Sequence, residues 1–441
     1  MQPAPYPLFD IRQQIVGLNT PIARRNGSSG WAIHLDHAAG TPALHSAQAA
    51  VEQLLGWCGG AGLTTQAARV AYEQARASVG RFFCARPGQH QVVFTPNATA
   101  ALALLARRIG LRPGQVIISS ELEHQANDLP WHAQAPVLHV RTHADGSLDE
   151  DHLAALLRTY AGRVRLLTVS GGSHVTGYLP NLPRLAALAH AAGAEIAVDA
   201  AQLAARRAID LGDLGDPAHL DYLAISGHKL YAPYGCGALI GRAETLARAE
   251  DEGGAPNMLG AVALAAALAA IDTIGMDAIA AHEAALLAQV LPRLRAVPGL
   301  RLYGDEGQPG DRLGILAFSL DGRDPQHVAA ILGAEYGIAV GHGSFGGEPY
   351  LRRLIDGYRQ GDAGLLRASL GIYTAGYELD LLADALATVA SGAFDQTDYR
   401  DSHSGTYRPR GDLDRSVAVE FTLAPGLCRA AEQPASDGPC E

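Results

Sequence analysis

The chain is almost without lysine. Of its 34 lysine and arginine residues, reading the sequence finds one lysine, so the remaining 33 are arginines. Biased coding explains a general depletion but not why a single position keeps lysine. An amine that can shed its proton and form an imine is a property that arginine lacks, which makes Lys229 the first candidate for chemistry. Other shortages exclude whole classes of function. The five cysteines, Cys58, Cys84, Cys236, Cys428 and Cys440, give neither a disulfide framework nor a C-x-x-C spacing, and no metal site is expected. No block of Lys or Arg accompanies the formal net charge of -11, which argues against nucleic acid or an anionic membrane surface as a partner. The longest apolar run, Gly260 to Ile271, is too short to cross a bilayer, and the opening MQPAPYPLFDIRQQ has neither the basic start nor the apolar stretch of a leader. These absences point to a cytoplasmic protein that handles small molecules.

What is present is enough to build a large core: 441 residues with 48% hydrophobic content. Short β-branched runs, HQVVFT (90 to 95), QVIIS (115 to 119), PVLHVR (136 to 141), RLLTVS (165 to 170), EIAVD (195 to 199) and DYLAIS (221 to 226), alternate with stretches of helical period at 98 to 109, 149 to 159 and 181 to 192. That alternation predicts an α/β fold with a mostly parallel sheet covered by helices. An Ala-rich helical stretch over 253 to 290 is expected to cross back over this unit. A smaller α/β unit follows, with strands near 315 to 320 and 367 to 373. The resulting expectation is an arm (1 to 32), a large domain (33 to 290), a small C-terminal domain (291 to 392) and a polar tail (393 to 441) with at most one docked strand, at 416 to 424.

In open α/β sheets ligands sit beyond the carboxyl ends of the strands, and those ends are polar here. The strand at 90 to 95 runs through Pro96-Asn97-Ala98-Thr99 into a helix, offering backbone N-H groups, a hydroxyl and a positive dipole end that suit a phosphate. Asp199 ends another strand, with Gln202 three residues on. A carboxylate there can keep a pyridine nitrogen protonated, and an amide can donate to a neighbouring phenolic oxygen. A third strand enters Ser226-Gly227-His228-Lys229, where a hydroxyl and an imidazole can meet phosphate and the amine can reach an aldehyde. His124 can stack on an aromatic ring. Each residue alone has an ordinary explanation as a helix cap, a turn carboxylate or a buried histidine. Their convergence on the needs of pyridoxal phosphate (PLP) does not.

The segments LDHAAGTP (35 to 42), FTPNATAAL (94 to 102), ELEHQANDLPW (121 to 131), VDAAQ (198 to 202), ISGHKLYAPYGCGAL (225 to 239), GGAPNMLGAVAL (253 to 264) and RASLGIYTAGYELDLL (367 to 382) together resemble the class V aminotransferases of PLP fold type I. The likeness covers roughly 33 to 392 and is greatest to the cysteine desulfurase and selenocysteine lyase branch. It implies that Lys229 binds the cofactor aldehyde, that His124 stacks on the ring, that Asp199 and Gln202 contact its nitrogen and phenolic oxygen, and that Ala98, Thr99, Ser226 and His228 face the phosphate. It implies that Arg367 clamps the substrate carboxylate, with Asn127 and Ala39 beside the substrate, and that the protein is a homodimer.

Three departures bear on the reaction. Desulfurases of this branch carry a mobile cysteine before the substrate arginine, and the matching stretch here, VGHGSFGGEPYLRR (340 to 353), has none. His174 stands where the branch has asparagine, and Ala255 where it has threonine. Without a thiol to accept sulfur, the expected reaction is β-elimination from cysteine, its sulfinate or an S-conjugate, in a biosynthetic pathway. The alternatives are a desulfurase with a relocated thiol, a transaminase, epimerase or decarboxylating tailoring enzyme, or a PLP-fold binding or regulatory module without turnover. Retention of the only lysine at the catalytic position argues against the last.

Overall fold

The computed structural model describes residues 8–25, 27–58, 62–247, 255–304, 312–394, 399–401 and 407–409. Its centre is a seven-stranded sheet in the order His90–Thr95, Gly237–Arg242, Tyr222–Ser226, Glu195–Asp199, Val164–Ser170, Val116–Ser120, Val137–Val140. Only Gly237–Arg242 runs antiparallel to its neighbours. The β-branched runs form these strands because both faces are covered by helices, which demands near-continuous apolar sequence rather than alternation. Helices Ala98–Arg108, Glu150–Thr159 and Leu182–Ala191 are capped by the side chains of Asn97, Asp149 and Asn181.

The Ala-rich stretch is two helices rather than one, Met258–Ile274 and Met276–Arg295, bent by 72°. Gly275 makes the break, with φ of +89°, a conformation that side-chain-bearing residues rarely adopt. The first helix packs against His45–Leu55 and Leu63–Phe82. Among the described residues no single helix is long and apolar enough to cross a membrane.

A second sheet has the order Leu300–Tyr303, Ile315–Leu320, Leu365–Ser369, Gly341–Gly343. Its core takes Leu286 to Leu294 from the second long helix, and Ile33 and Leu35 from the N-terminal side. The strand expected at 367 to 373 is shifted: it ends at Ser369, because the Gly371 N-H turns to the Thr374 hydroxyl. The tail also differs from expectation. Tyr399–Asp401 and Tyr407–Pro409 pair as a hairpin, with the Tyr407 ring stacked 4.6 Å from His327 and the Tyr399 hydroxyl donating to Glu335. The run at 416 to 424 lies outside the described residues.

At the end of the large sheet opposite the carboxyl ends of the strands, buried Asp221 bonds Nε2 of His190 (2.8 Å) and of His219 (3.0 Å), Nη1 of Arg242 and the Ile196 N-H. Burial pushes the Asp221 carboxyl up, but these bonds override it and bring it down to about 2; the same bond to Asp221 raises His190. A raised folded-state histidine contributes stability that is complete below its unfolded value, ~6.5, and is lost as pH rises through the folded value. Asp221 contributes stability that is present above its unfolded value, ~3.9, and lost as pH falls toward 2. The gap in thermal midpoint between the unmodified protein and His190→Gln should therefore narrow as pH rises from 6 to 8. Parallel melting curves for the two proteins across this range would remove His190 as the cause.

Candidate active site

The carboxyl ends of the parallel strands surround a cavity of about 330 Å³. The sequence candidates Ala39, Ala98, Thr99, His124, Asp199, Gln202, Ser226, His228, Lys229 and Arg367 all line it. Asn127 does not. It is fully buried outside the lining, its amide nitrogen donating to Glu123 (2.6 Å) and its amide oxygen accepting from the Thr168 hydroxyl (2.6 Å).

Lys229 sits in the 3-10 turn Gly227–Lys229, directly after strand Tyr222–Ser226. The turn lies so close to Cys236 that a Cβ at residue 227 would collide with it, which is why glycine is required. Burial holds the Lys229 amine below its usual value; the Asp199 carboxylate opposes the shift and the Arg367 guanidinium adds to it. Asp199, at the end of strand Glu195–Asp199, accepts the Ala201 N-H on one oxygen. The Gln202 amide spends one N-H on the Ala38 carbonyl (2.8 Å), leaving its second for a ligand.

The phosphate-directed group has a different inventory from the one expected. The Ala98 N-H is already committed to the Ser226 hydroxyl oxygen (2.9 Å), so Ala98 offers no amide to an anion, while Ser226 keeps its hydroxyl proton for donation. Thr99 occupies the first turn of helix Ala98–Arg108, at the positive end of the helix dipole. The His228 ring lies flat on exposed Tyr234 at 4.7 Å; burial first, and Lys229 second, bring it down to about 4. It is thus a neutral donor near pH 7 rather than a cation.

Arg367 comes from the second sheet. Its Nη1 donates to the His174 carbonyl (2.9 Å) and its Nη2 to Asp36 (2.9 Å), the Phe345 ring covers it at 4.3 Å, and its Nε is buried without a protein partner. Residues 33 to 41 connect this clamp to the lysine turn. Ile33–His34 pairs with Ile338–Ala339, Ala38 N-H donates to Ser369 Oγ, and Thr41 N-H donates to the His228 carbonyl.

Reasoning from the sequence misses three neighbours of the cavity. Asp36 lies within the quoted LDHAAGTP segment but pairs with an arginine 331 positions away, beyond any local pattern. Phe345 has φ of +55°, a strained conformation for an aromatic residue, and its glycine flanks are the only hint. Glu123 is buried and accepts from Ser120 Oγ (2.5 Å), Asn127 Nδ2 (2.6 Å) and Ser170 Oγ (2.7 Å); burial pushes its carboxyl up to about 7 against these bonds. Two His–Asp groups also assemble outside the cavity, Asp128 with His132 and His139, and Asp221 with His190 and His219, where the sequence spacing shows no ligand set.

The class-V aminotransferase family model matches residues 33–252 and 249–382. The chain belongs to that family. It is 35% identical over 361 residues to a cysteine desulfurase of Dickeya dadantii, covering 74% of this chain and 83% of the relative. A cysteine desulfurase of Haloferax volcanii is 33% identical over 355 residues, covering 73% and 80%. The crystal structure of the cysteine desulfurase CsdA from Escherichia coli, an S-sulfonic acid form, superposes with a TM-score of 0.75 at 27% identity, covering 88% of this chain and 99% of that one. The apo cysteine desulfurase from Thermococcus onnurineus shares the fold with a TM-score of 0.77. Membership makes the chain a PLP-dependent enzyme. The cavity fits that cofactor: a buried, desolvated lysine, a carboxylate with one oxygen free of protein bonds, and hydroxyl, imidazole and helix-start donors share one wall system.

Proposed function

We propose that the enzyme cleaves the Cβ–sulfur bond of cysteine or a cysteine S-conjugate by β-elimination. The observation that carries this reading is what lies against Arg367: the ring of Phe345, with no thiol among the described residues lining the cavity. Cys58 and Cys84 are exposed and outside it, and Cys236 is buried with its thiol pushed up to about 12 by desolvation. Cys428 and Cys440 lie outside the described residues.

Bound PLP supplies an electron sink for the pair left at Cα when its proton departs. The protein supplies the rest. Arg367 holds the carboxylate through its free Nε-H, and the desolvated Lys229 amine takes the Cα proton. Asp199 keeps a proton on the ring nitrogen, and the second N-H of Gln202 meets the phenolic oxygen. Thr99, Ser226 and neutral His228 donate to phosphate, and His124, with Nδ1 accepting the Ala126 N-H, packs against the ring. The thiol leaves from Cβ, and the three-carbon remainder hydrolyses to pyruvate and ammonia. The reading includes a homodimer in which the segment 253 to 257 of one chain, of which 253 and 254 lie outside the described residues, approaches the site of the other.

The names of the relatives favour a second reading, sulfur transfer to a relocated thiol. Product analysis separates the two. Incubation with cysteine, cysteine sulfinate and S-conjugates should yield pyruvate and ammonia, and a variant with all five cysteines changed to Ser or Ala should keep most of its activity. Alanine as product, with a persulfide on one essential cysteine, would instead establish the desulfurase.

A further inference from the structure

The two His–Asp groups outside the cavity differ in what already fills them. A carboxylate has about four lone-pair sites, two on each oxygen. At Asp221 all are taken: Oδ1 meets Nε2 of His219 and Nη1 of Arg242, and Oδ2 meets Nε2 of His190 and the Ile196 N-H. The Arg242 guanidinium also supplies the positive charge that a metal ion would bring. At Asp128 each oxygen meets one imidazole. Oδ2 lies 3.1 Å from Nε2 of His132 and Oδ1 lies 2.7 Å from Nε2 of His139, and among the described residues no arginine pairs with this carboxylate.

The fold brings the three side chains together from two elements. Asp128 immediately precedes helix Leu129–His132, and a spacing of four residues sets His132 over it. His139 comes from Val137–Val140, the edge strand of the large sheet, and presents its Nε2 to the other oxygen. The three ligand atoms lie within 4.8 Å of one another. Bonds of about 2.0 to 2.2 Å around a tetrahedral ion separate neighbouring donor atoms by about 3.3 Å, close to the two nitrogen–oxygen separations here. His132 is exposed, so a turn of its ring closes the remaining gap.

A separate observation comes from the neighbouring strand. Ser119 stands opposite His139 in the parallel register, on the same face of the sheet. It is fully buried and its hydroxyl has no protein partner, a state that calls for a water or an ion nearby. Two imidazole nitrogens and a carboxylate oxygen suit zinc and the neighbouring first-row ions, whereas magnesium and calcium take oxygen ligands. Cysteine spacing, on which the expectation of no metal site rests, says nothing about ligands of this kind.

We propose that Asp128, His132 and His139 form a binding site for a divalent transition-metal ion of the zinc class, outside the PLP cavity, with water completing its coordination. The ion tethers the edge strand Val137–Val140 to the helix that follows the turn Gln125–Asn127. The test uses tag-free, PLP-loaded enzyme. Zinc affinity is measured by competition with a chromophoric chelator, and zinc content by elemental analysis after loosely held metal is removed. The unmodified enzyme should retain one zinc ion more per chain than His132→Ala, and His132→Ala and His139→Ala should each weaken binding by about tenfold or more. His132 is exposed, so its variant serves if the other does not fold. Magnesium should not compete. Zinc should raise the thermal midpoint of the unmodified enzyme but not that of either variant, since only a folded chain with the site intact gains from the ion. His190→Gln, at the other cluster, should leave zinc binding unchanged. No retained zinc, equal retention by the unmodified enzyme and His132→Ala, or a loss that follows His190→Gln instead overturns the site.

Discussion

Lys229→Ala should abolish turnover and the covalent attachment of the cofactor together. Loss of a positioned proton-transfer group alone lowers rates by roughly 10²- to 10⁴-fold, and in the proposed site the same amine also anchors PLP. The lone lysine makes the measurement unusually clean. Borohydride reduction followed by intact mass should add one pyridoxyl group to the unmodified enzyme and none to the variant, because no other side-chain amine exists. The variant should remain folded: the turn Gly227–Lys229 is held by backbone bonds, including the Gly227 N-H to the Cys236 carbonyl. A pyridoxyl group mapped away from Lys229 would falsify the central assignment.

Asp199→Asn should cost most of the turnover while leaving PLP bound. The substitution keeps shape and the acceptor for the Ala201 N-H but removes the charge that would hold a proton on the ring nitrogen. A hydrogen bond to a charged group contributes about 1.5 to 3 kcal/mol, so kcat should fall by about ten- to a hundredfold or more. The phosphate contacts proposed for Thr99, Ser226 and His228 do not pass through Asp199, which is why cofactor content should stay high. Unchanged kcat in the cofactor-loaded variant would show that Asp199 has another task.

Much of this architecture is legible in the sequence because buried parallel strands read as unbroken β-branched runs. Glu195–Asp199 lies where the run EIAVD places it, and Val116–Ser120 is displaced by one residue. The strand-end residues are legible for the same reason: once the strands are located, their carboxyl ends define the cavity. Features set by tertiary packing are not. Helical periodicity cannot show the break at Gly275 within an Ala-rich stretch, since small residues give little contrast between faces. The 3-10 turn Gln125–Asn127 buries Asn127 against Glu123 while His124, three residues earlier, lines the cavity. The antiparallel pair Tyr399–Asp401 and Tyr407–Pro409 owes its place to His327 and Glu335, more than sixty positions upstream, an attachment no local pattern announces.

The stretch from 33 to 41 has a mechanical meaning. At one end it is a strand edge of Ile338–Ala339, midway it is pinned to Ser369, and at the other end it hangs from the His228 carbonyl, next to the amine. It behaves as a strut, not a hinge. The span between the Lys229 amine and the Arg367 guanidinium is bridged by one short, many-times-fastened length of chain, with Asp36 bonded to the guanidinium itself. A swing of the second sheet as a free lid would have to break these fastenings in sequence. The spacing of these two side chains is therefore tied to fastenings made as the chain folds.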